Sequence, residues 1–515
     1  MIESDRLKYH VQCRQADNGC QWSLRVALRQ NLGYWEVRRV GGVHSCLAPT
    51  MSQGHRQLDS SLICRVILPL IQSNPSVSIP VLQGAVQASY HFKPSYRKVW
   101  MDKQKAITQI YGDWKESYNK VPKLLQALQS CFPGTICDLS VKPFYDGHLL
   151  VRDYSMFDKV FWSFPSCVKA FHHCKPFVSV DGMHLYRTYG GVLLIAVAQD
   201  GNSNVLPIAF AIVESESTES WSFFLTNMRR DVTPKDGMLV IFDKFQAIKA
   251  TLISDDSGWH PPRAYHAYCI RHMAANFLTR FKSAEGKRYL INAAYSPSKA
   301  GYEWNMDALR GVSPTIIDWA GHFRKEIWLQ HCESEHRFGH ITTNLFECIN
   351  VVLNDTRYLP ISAIVRIMYK RLQKLFVTKG REEQSQLAAG CQFSQRLLAA
   401  IEKNGEGIPK MRVTHCDRRA SVFVVEELEP FEGWGAVPSV FGYRRARVTA
   451  AYSNPSTIRA EAVFKVYEMG FSPIPDESMW AEWHGMRLCP NPVMRRKATR
   501  RPVSTRFWNH MDETE

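Results

Sequence analysis

Between residues 177 and 254 the chain runs through short apolar β patterns and helix patterns, and two of the β patterns stop on an aspartate. "FVSVD" ends on Asp181 and "GMLVIFD" on Asp243. "GGVLLIAVAQD" and "NVLPIAFAIVES" lie between them, followed by "STESWSFFLTNMRRDV", whose serine and threonine open a helix pattern. "KFQAIKATLIS" then reads as a second helix. Three strands, a helix, a strand and a helix define a mixed α/β layer. One aspartate at a strand end is ordinary, because Asp-Gly is a common turn dipeptide. Two in the same sheet point to converging carboxylates.

A third acid follows much later. "AYHAYCIRHMAANFLTRF" carries His266, Cys269 and His272, and a mostly helical stretch leads to about Arg337. In "HITTNLFECINVVLNDTRYLP", Thr342 or Thr343 can cap a helix on which Leu345, Cys348, Ile349 and Val352 form one apolar stripe. Glu347 falls on nearly the opposite face, so packing does not explain it, although most such glutamates are simply solvated. Asp181, Asp243 and Glu347 are separated by 62 and 104 positions. Two aspartates at strand ends and a glutamate on a later helix match the ribonuclease H-like polynucleotidyl transferase arrangement. Phosphodiester cleavage needs an activated water and a stabilised leaving alkoxide. Two Mg²⁺ ions about 4 Å apart supply both, and hard cations take oxygen ligands.

The first residues have a different chemistry. Cys13, Cys20, His44 and Cys46 give Cys-x6-Cys-x23-His-x-Cys, a donor set suited to one tetrahedral Zn²⁺. Between the ligand pairs, Trp22, Leu24, Val26 and Leu28 alternate with Ser23, Arg25, Ala27 and Arg29, and "YWEVRRV" reads as the partner strand of a hairpin. From Leu58 to about Leu128 the pattern turns helical, with "SSLICRVILPLIQS" and "PSYRKVWMDKQKAITQIYGDWKESY". The formal charge of +16 implies an anionic partner, and nucleic acid fits a chain of 515 residues better than a membrane. No apolar run approaches the roughly 20 residues needed to span a bilayer. The 14 scattered cysteines argue for reduced thiols and metal sites over a disulfide framework.

"FVSVDGMHLYRTYGGVLLIAVAQDGNSNVLPIAFAIVESESTESWSFFL" resembles the core signature of plant Mutator-like element (MULE) transposases. "RAYHAYCIRHMAANF" is similar to the Cys-x-x-His block of that family, and "TTNLFECINVVLND" to its glutamate helix. The resemblance implies a ribonuclease H-like mixed sheet with a helical insertion, preceded by a small β zinc finger and a helical region. It puts Asp181, Asp243 and Glu347 at the DDE metal-binding positions, served by Mg²⁺ or Mn²⁺, with Cys269 and His272 as an accessory pair that packs or orients. Residues 1–57 resemble a WRKY-type zinc finger. Residues 58–170 are expected to be a helical DNA-binding or linker region, and 171–375 the core, with its insertion at about 281–337. Residues 376–470 resemble a SWIM-finger region and 471–515 the basic tail of the family.

Departures from the family pattern are concentrated at the C-terminal finger. Gly433, Gly435, Arg445 and Arg447 stand where the SWIM ligands belong, and none of them can bind Zn²⁺. Lys244-Phe245 follows the second aspartate, where the family has a basic pair, and Met183 stands where threonine is common. Two readings stay open: an active transposase that cuts and joins DNA in the nucleus, alone or as a homo-oligomer on DNA, or a transposase-derived regulator or decayed fragment that only binds DNA. In either, Arg25, Arg29, Arg495, Arg496, Lys497, Arg500 and Arg501 are the expected phosphate contacts.

Overall fold

The computed structural model describes residues 3–4, 7–13, 15–31, 33–43, 59–75, 77–90, 93–185, 190–243, 246–254, 257–296, 299–332, 353, 356–405, 411–417, 422–427, 439–442, 457–474 and 476–494. The chain divides into two compact units, residues 1–106 and 107–515. That division falls inside the stretch expected to be one helical region, 58–170.

In the first unit, strands β1 (Glu3–Ser4), β2 (Lys8–Gln12), β3 (Ser23–Arg29) and β4 (Tyr34–Gly41) form an antiparallel sheet in sequence order. Its strands are only partly covered, and Tyr34, Trp35, Val37 and Val40 are exposed. Helices α1 (Ser60–Ser73), α2 (Ile79–Tyr90) and α3 (Tyr96–Tyr111) follow. The i, i+4 spacing of Ile63, Ile67 and Ile71 puts all three on the buried face of α1.

The second unit opens with α4 (Trp114–Cys131), capped by Asp113, whose carboxylate accepts from the Lys115 and Glu116 amides. Beyond Cys131 the helical expectation fails. Residues 136–163 are a long hairpin of β5 (Ile136–Asp146) and β6 (Leu149–Ser163). The reason is local: Asp146-Gly147 sits at its turn, Gly147 takes φ +62°, and Asp146 pairs with Leu149. The inner half of β6 is then buried from Phe157 to Ser163, with Trp162 stacked on Phe210 at 5.4 Å.

Around β6 an eight-stranded mixed sheet assembles in the order β11-β10-β7-β8-β9-β6-β15, with β5 paired to β6. Strands β7 (Phe177–His184), β8 (Val192–Gln199) and β9 (Val205–Val213) are antiparallel neighbours. β10 (Met238–Phe242) runs parallel to β7, and β11 (Ala264–Tyr268) parallel to β10. Every residue of β8 is buried, as its unbroken apolar run requires of a central strand. Helices α5 (Pro165–Phe171), α6 (Thr218–Asn227), α7 (Gln246–Ile253) and α8 (Ile270–Phe281) accompany the sheet. Four more lie between residues 284 and 328: α9 (Ala284–Tyr295), α10 (Lys299–Val312), α11 (Pro314–Gly321) and α12 (Lys325–Trp328).

The C-terminal part also differs from a simple tail. Phe471 is buried against Phe132, Phe164, Tyr369 and Phe376, and β15 (Arg487–Cys489) extends the sheet parallel to β6. A separate antiparallel sheet joins β12 (Met411–Asp417), β13 (Val422–Glu427) and β14 (Ser439–Gly442). Gly433, Gly435, Arg445 and Arg447 lie outside the described residues. Among the described residues no helix is long and apolar enough to cross a membrane.

Candidate functional site

Strand register brings the two aspartates together. Leu239, Val240 and Ile241 of β10 pair with Phe177, Val178 and Ser179 of β7. Asp243 is two residues past the last of these pairs, and Asp181 is two residues past its partner, so the acids are level on neighbouring strands. One detail corrects the reading of an acid at a strand end. β7 does not stop at Asp181, because Gly182, Met183 and His184 find ladder partners in Leu194, Leu193 and Val192. β10 does stop at Phe242. Asp181 therefore sits inside a strand whose β10 neighbour has ended. Both aspartates are half-buried.

Their polar partners are few. Asp181 accepts a hydrogen bond from the Gly182 amide at 2.8 Å. Among the described residues, Asp243 Oδ1 is buried with no hydrogen-bond partner. Burial pushes the Asp181 carboxyl up to about 6, with Asp243 adding to the rise and the His272 charge opposing it.

The Cys-x-x-His pair stands beside them. The Cys269 amide donates to the Phe242 carbonyl at 2.9 Å, and Cys269 occupies the N-cap of α8, so His272 falls in its first turn. Burial works against the imidazolium of His272, but the Cys269 sulfur, Asp243 and Asp181 outweigh it and lift the group to about 10. At neutral pH His272 is thus a cation influenced by both carboxylates, and among the described residues its buried Nδ1 has no hydrogen-bond partner.

Sequence reasoning missed a further acid, Glu216. It lies between β9 and α6, directly before Ser217, whose hydroxyl caps α6 by accepting from the Ser220 amide. A Cβ added at Gly182 would meet Glu216 Oε1 at 2.7 Å, so the glutamate rests against the bare backbone next to Asp181. Burial raises its carboxyl to about 7, with Asp181 and Asp243 adding to the rise and His272 opposing it. Its disguise was the string "ESESTESW", which reads as a helix start. The available signal was position: like Asp243, Glu216 follows a buried strand.

The remaining expected residues are divided. Glu347 and the tail residues Arg495, Arg496, Lys497, Arg500 and Arg501 lie outside the described residues. So do His44 and Cys46. Cys13 and Cys20 are described, on a loop closed by the Cys13 amide donating to the Trp22 carbonyl and the Cys20 amide donating to the Gln15 carbonyl. Arg25 and Arg29 are exposed on β3, and Arg29 is paired with Glu36 at 2.8 Å. Among the described residues no three His, Cys, Asp or Glu side chains are grouped so as to hold a metal ion by themselves.

Residues 177–276 match the family model of the MULE transposase domain, a stretch that begins with β7 and ends within α8. The match supports a transposase of that class and takes in Asp181, Glu216, Asp243, Cys269 and His272. A comparison with curated proteins finds none that matches.

Proposed function

We propose that the chain is a DDE-type DNA transposase of the Mutator-like class, built on a ribonuclease H-like sheet. The observation that carries this reading is the level placement of Asp181 and Asp243 on adjacent parallel strands, inside the segment matched by the MULE transposase domain. The core strands also support it. Taken in chain order from β7 to β11, they lie in the spatial order third, second, first, fourth, fifth, with only the second antiparallel to its neighbours.

The site suits a divalent hard cation. Its donors are carboxylate oxygens, and Asp243 Oδ1 is a buried acceptor with no hydrogen-bond partner among the described residues. Asp181 and Asp243 would hold Mg²⁺ or Mn²⁺, with Glu347 completing the set. Such ions polarise phosphoryl oxygens and generate a nucleophile at neutral pH. His272 balances the carboxylates' negative charge, and Cys269 fixes the imidazole against them. Cys13, Cys20, His44 and Cys46 would bind one Zn²⁺ in the first unit.

The test is metal-dependent nicking of a plasmid carrying candidate element ends. Asp181→Asn should reduce Mn²⁺-dependent nicking by roughly 100-fold or more, at or beyond the upper end of what loss of a ligand's supporting partner costs. Equal nicking by the variant and the parent protein would overturn the catalytic reading. Specific DNA binding without nicking by either protein would instead favour the non-catalytic regulator, a reading prompted by Gly433, Gly435, Arg445 and Arg447 at the second finger.

A further inference from the structure

We infer that the cavity bounded by strands β10 and β11, helix α7 and the junction of α11 with α12 binds a nucleotide, with its base inward and its phosphate at the rim. The inference goes beyond the transposase reading and does not rest on Asp181 and Asp243 as metal ligands.

Strand register separates this cavity from Asp181. Val240 pairs with Val178 on β7 and with His266 on β11, and Phe242 pairs with Tyr268. Alternation therefore puts Phe242, His266 and Tyr268 on one face of the sheet, and Ser179 and Asp181 on the other. Those three side chains line a cavity of about 550 Å³, within the roughly 300–1,000 Å³ of small-molecule sites. Its floor is aromatic. Phe242 meets His266 at 6.0 Å and Tyr268 at 5.4 Å, and Tyr268 meets Phe323 at 6.5 Å, all edge-on. Leu252 and Ile253 of α7 extend the apolar lining. Such a floor suits a flat, weakly polar group.

The rim is cationic. Lys249 lies one turn before Ile253 on α7, and its ammonium has no ion pair or hydrogen bond among the described residues. Arg324 comes from the α11–α12 junction, and its charge reaches the floor, where it opposes the upward push of burial on the Tyr268 phenol. Among the described residues one acid, Glu326, also lines the cavity. It is 3.6 Å from Arg324 with both side chains largely in solvent, so the pair is weak. Two imidazoles add polar edges. His260 Nε2 and His266 Nε2 each donate to a carbonyl, those of Ser254 and Trp259, at 2.7 Å. A carbonyl only accepts, so Nε2 carries the proton, and burial lowers His266 so that it is neutral at pH 7. Its Nδ1 is then an acceptor, the complement of an amino group or ring N–H on a base.

An aromatic floor, an imidazole acceptor and a two-cation rim match a planar heterocycle carrying a phosphate. An acyl chain would leave the acceptor unmet, and inorganic phosphate would leave the floor unused. The same chemistry belongs to a free mononucleotide and to an unpaired nucleotide at the end of a DNA strand.

Titration calorimetry on the full chain tests the site with dAMP, deoxyadenosine, inorganic phosphate and a short single-stranded oligonucleotide. dAMP should bind, and deoxyadenosine and phosphate should each bind roughly tenfold more weakly or worse. Lys249→Ala and Arg324→Ala should each weaken dAMP binding roughly tenfold, the cost of one charge-assisted hydrogen bond. Lys403→Ala, an exposed cation outside the cavity, should leave it unchanged. Ile253→Trp narrows the cavity without altering a charge and should weaken dAMP and deoxyadenosine alike. None of these three lining side chains is buried, so the variants should melt like the parent. Should one fail to fold, the other two decide. Oligonucleotide binding that is tighter than dAMP and sensitive to the same variants assigns the site to a strand end. dAMP binding at least as tight as the oligonucleotide assigns it to a free nucleotide. Absence of dAMP binding, or dAMP binding that none of the three lining variants changes, overturns the inference. Phosphate binding as tightly as dAMP overturns it too, because the floor then contributes nothing.

Discussion

Lys175 shows at the scale of one residue what burial does to charge in this core. It is 4% exposed, and its Nζ donates to Gln199 Oε1 at 2.9 Å and to Ser203 Oγ at 3.3 Å. Burial, with Arg396 adding to it and Asp200 and Cys174 opposing, lowers the ammonium from 10.5 to about 8. A group depressed in the folded state binds fewer protons there than in the unfolded chain between those two values. Stability from this group therefore rises with pH across that window, and the penalty is fully present below about 8. Lys175→Met removes that dependence. Compared by chemical denaturation at pH 7 and pH 10, the parent should gain roughly 2 kcal/mol on the variant. Parallel stability changes for the two proteins would show that the lysine charge is not buried. Legibility at this scale was uneven for a related reason. Asp181 and Asp243 could be read because each interrupts an apolar run, and an acid there has no packing role. Glu216 could not, because helix capping explains an acidic, serine-rich string before Trp221 equally well.

Among the elements, the first β-sheet was legible as a hairpin from its alternation, but its charge pairing was not. Cα register places Arg25 opposite Arg39 on β4, so two guanidinium-bearing residues meet across neighbouring strands. Like charges directly opposite one another cost stability. Phosphates would relieve that cost. Arg29 differs, because Glu36 holds its guanidinium at 2.8 Å and also pairs with Arg38 at 3.2 Å. Arg25→Ala and Arg39→Ala should each reduce the slope of log K against log salt for DNA binding by about 0.9, and Arg29→Ala should reduce it less. Electrophoretic mobility shifts at several salt concentrations would check this, and an Arg29 effect equal to that of Arg25 would contradict it. The β5–β6 hairpin was missed for a different reason. Its turn signal, Asp146-Gly147, was present, but Pro143 and the charged residues on the exposed half of β6 obscure the alternation that marks a strand. Its apolar end is covered by pairing with β9 on one side (Val160 to Ile212, Phe161 to Ala211 and Trp162 to Phe210) and with β5 on the other.

For the molecule as a whole, the strand patterns from 177 to 243 could be listed from sequence, but not the company the sheet keeps. Sheet order depends on pairings between segments tens to hundreds of residues apart, and nothing local announces them. β15 is the clearest case: three residues, Arg487–Cys489, with no strand pattern of their own, pair with Tyr154, Ser155 and Met156. The Leu488 amide also donates to Asn119 Oδ1 at 2.7 Å. Upstream of it, Phe471 stacks on Phe132 with ring centroids 5.6 Å apart and meets Tyr369 and Phe376 edge-on. The Tyr369 hydroxyl donates to the Ser472 carbonyl, and the Ser166 hydroxyl to the Gly470 carbonyl. Residues 471–494 therefore belong to the core of the second unit, although the family resemblance assigned them to a basic tail. Two truncations separate these roles. Ending the chain after Met494 removes Arg495, Arg496, Lys497, Arg500 and Arg501, and should flatten the salt dependence of DNA binding while leaving thermal melting nearly unchanged. Ending it after Gly470 removes Phe471 and β15 as well, and should destabilise the protein severely. Phe471→Ala alone should cost about 3 kcal/mol, the lower end for emptying a buried aromatic site. If the chain ending at Gly470 melts like the one ending at Met494, the segment is a tail after all, and the packing of Phe471 contributes nothing measurable.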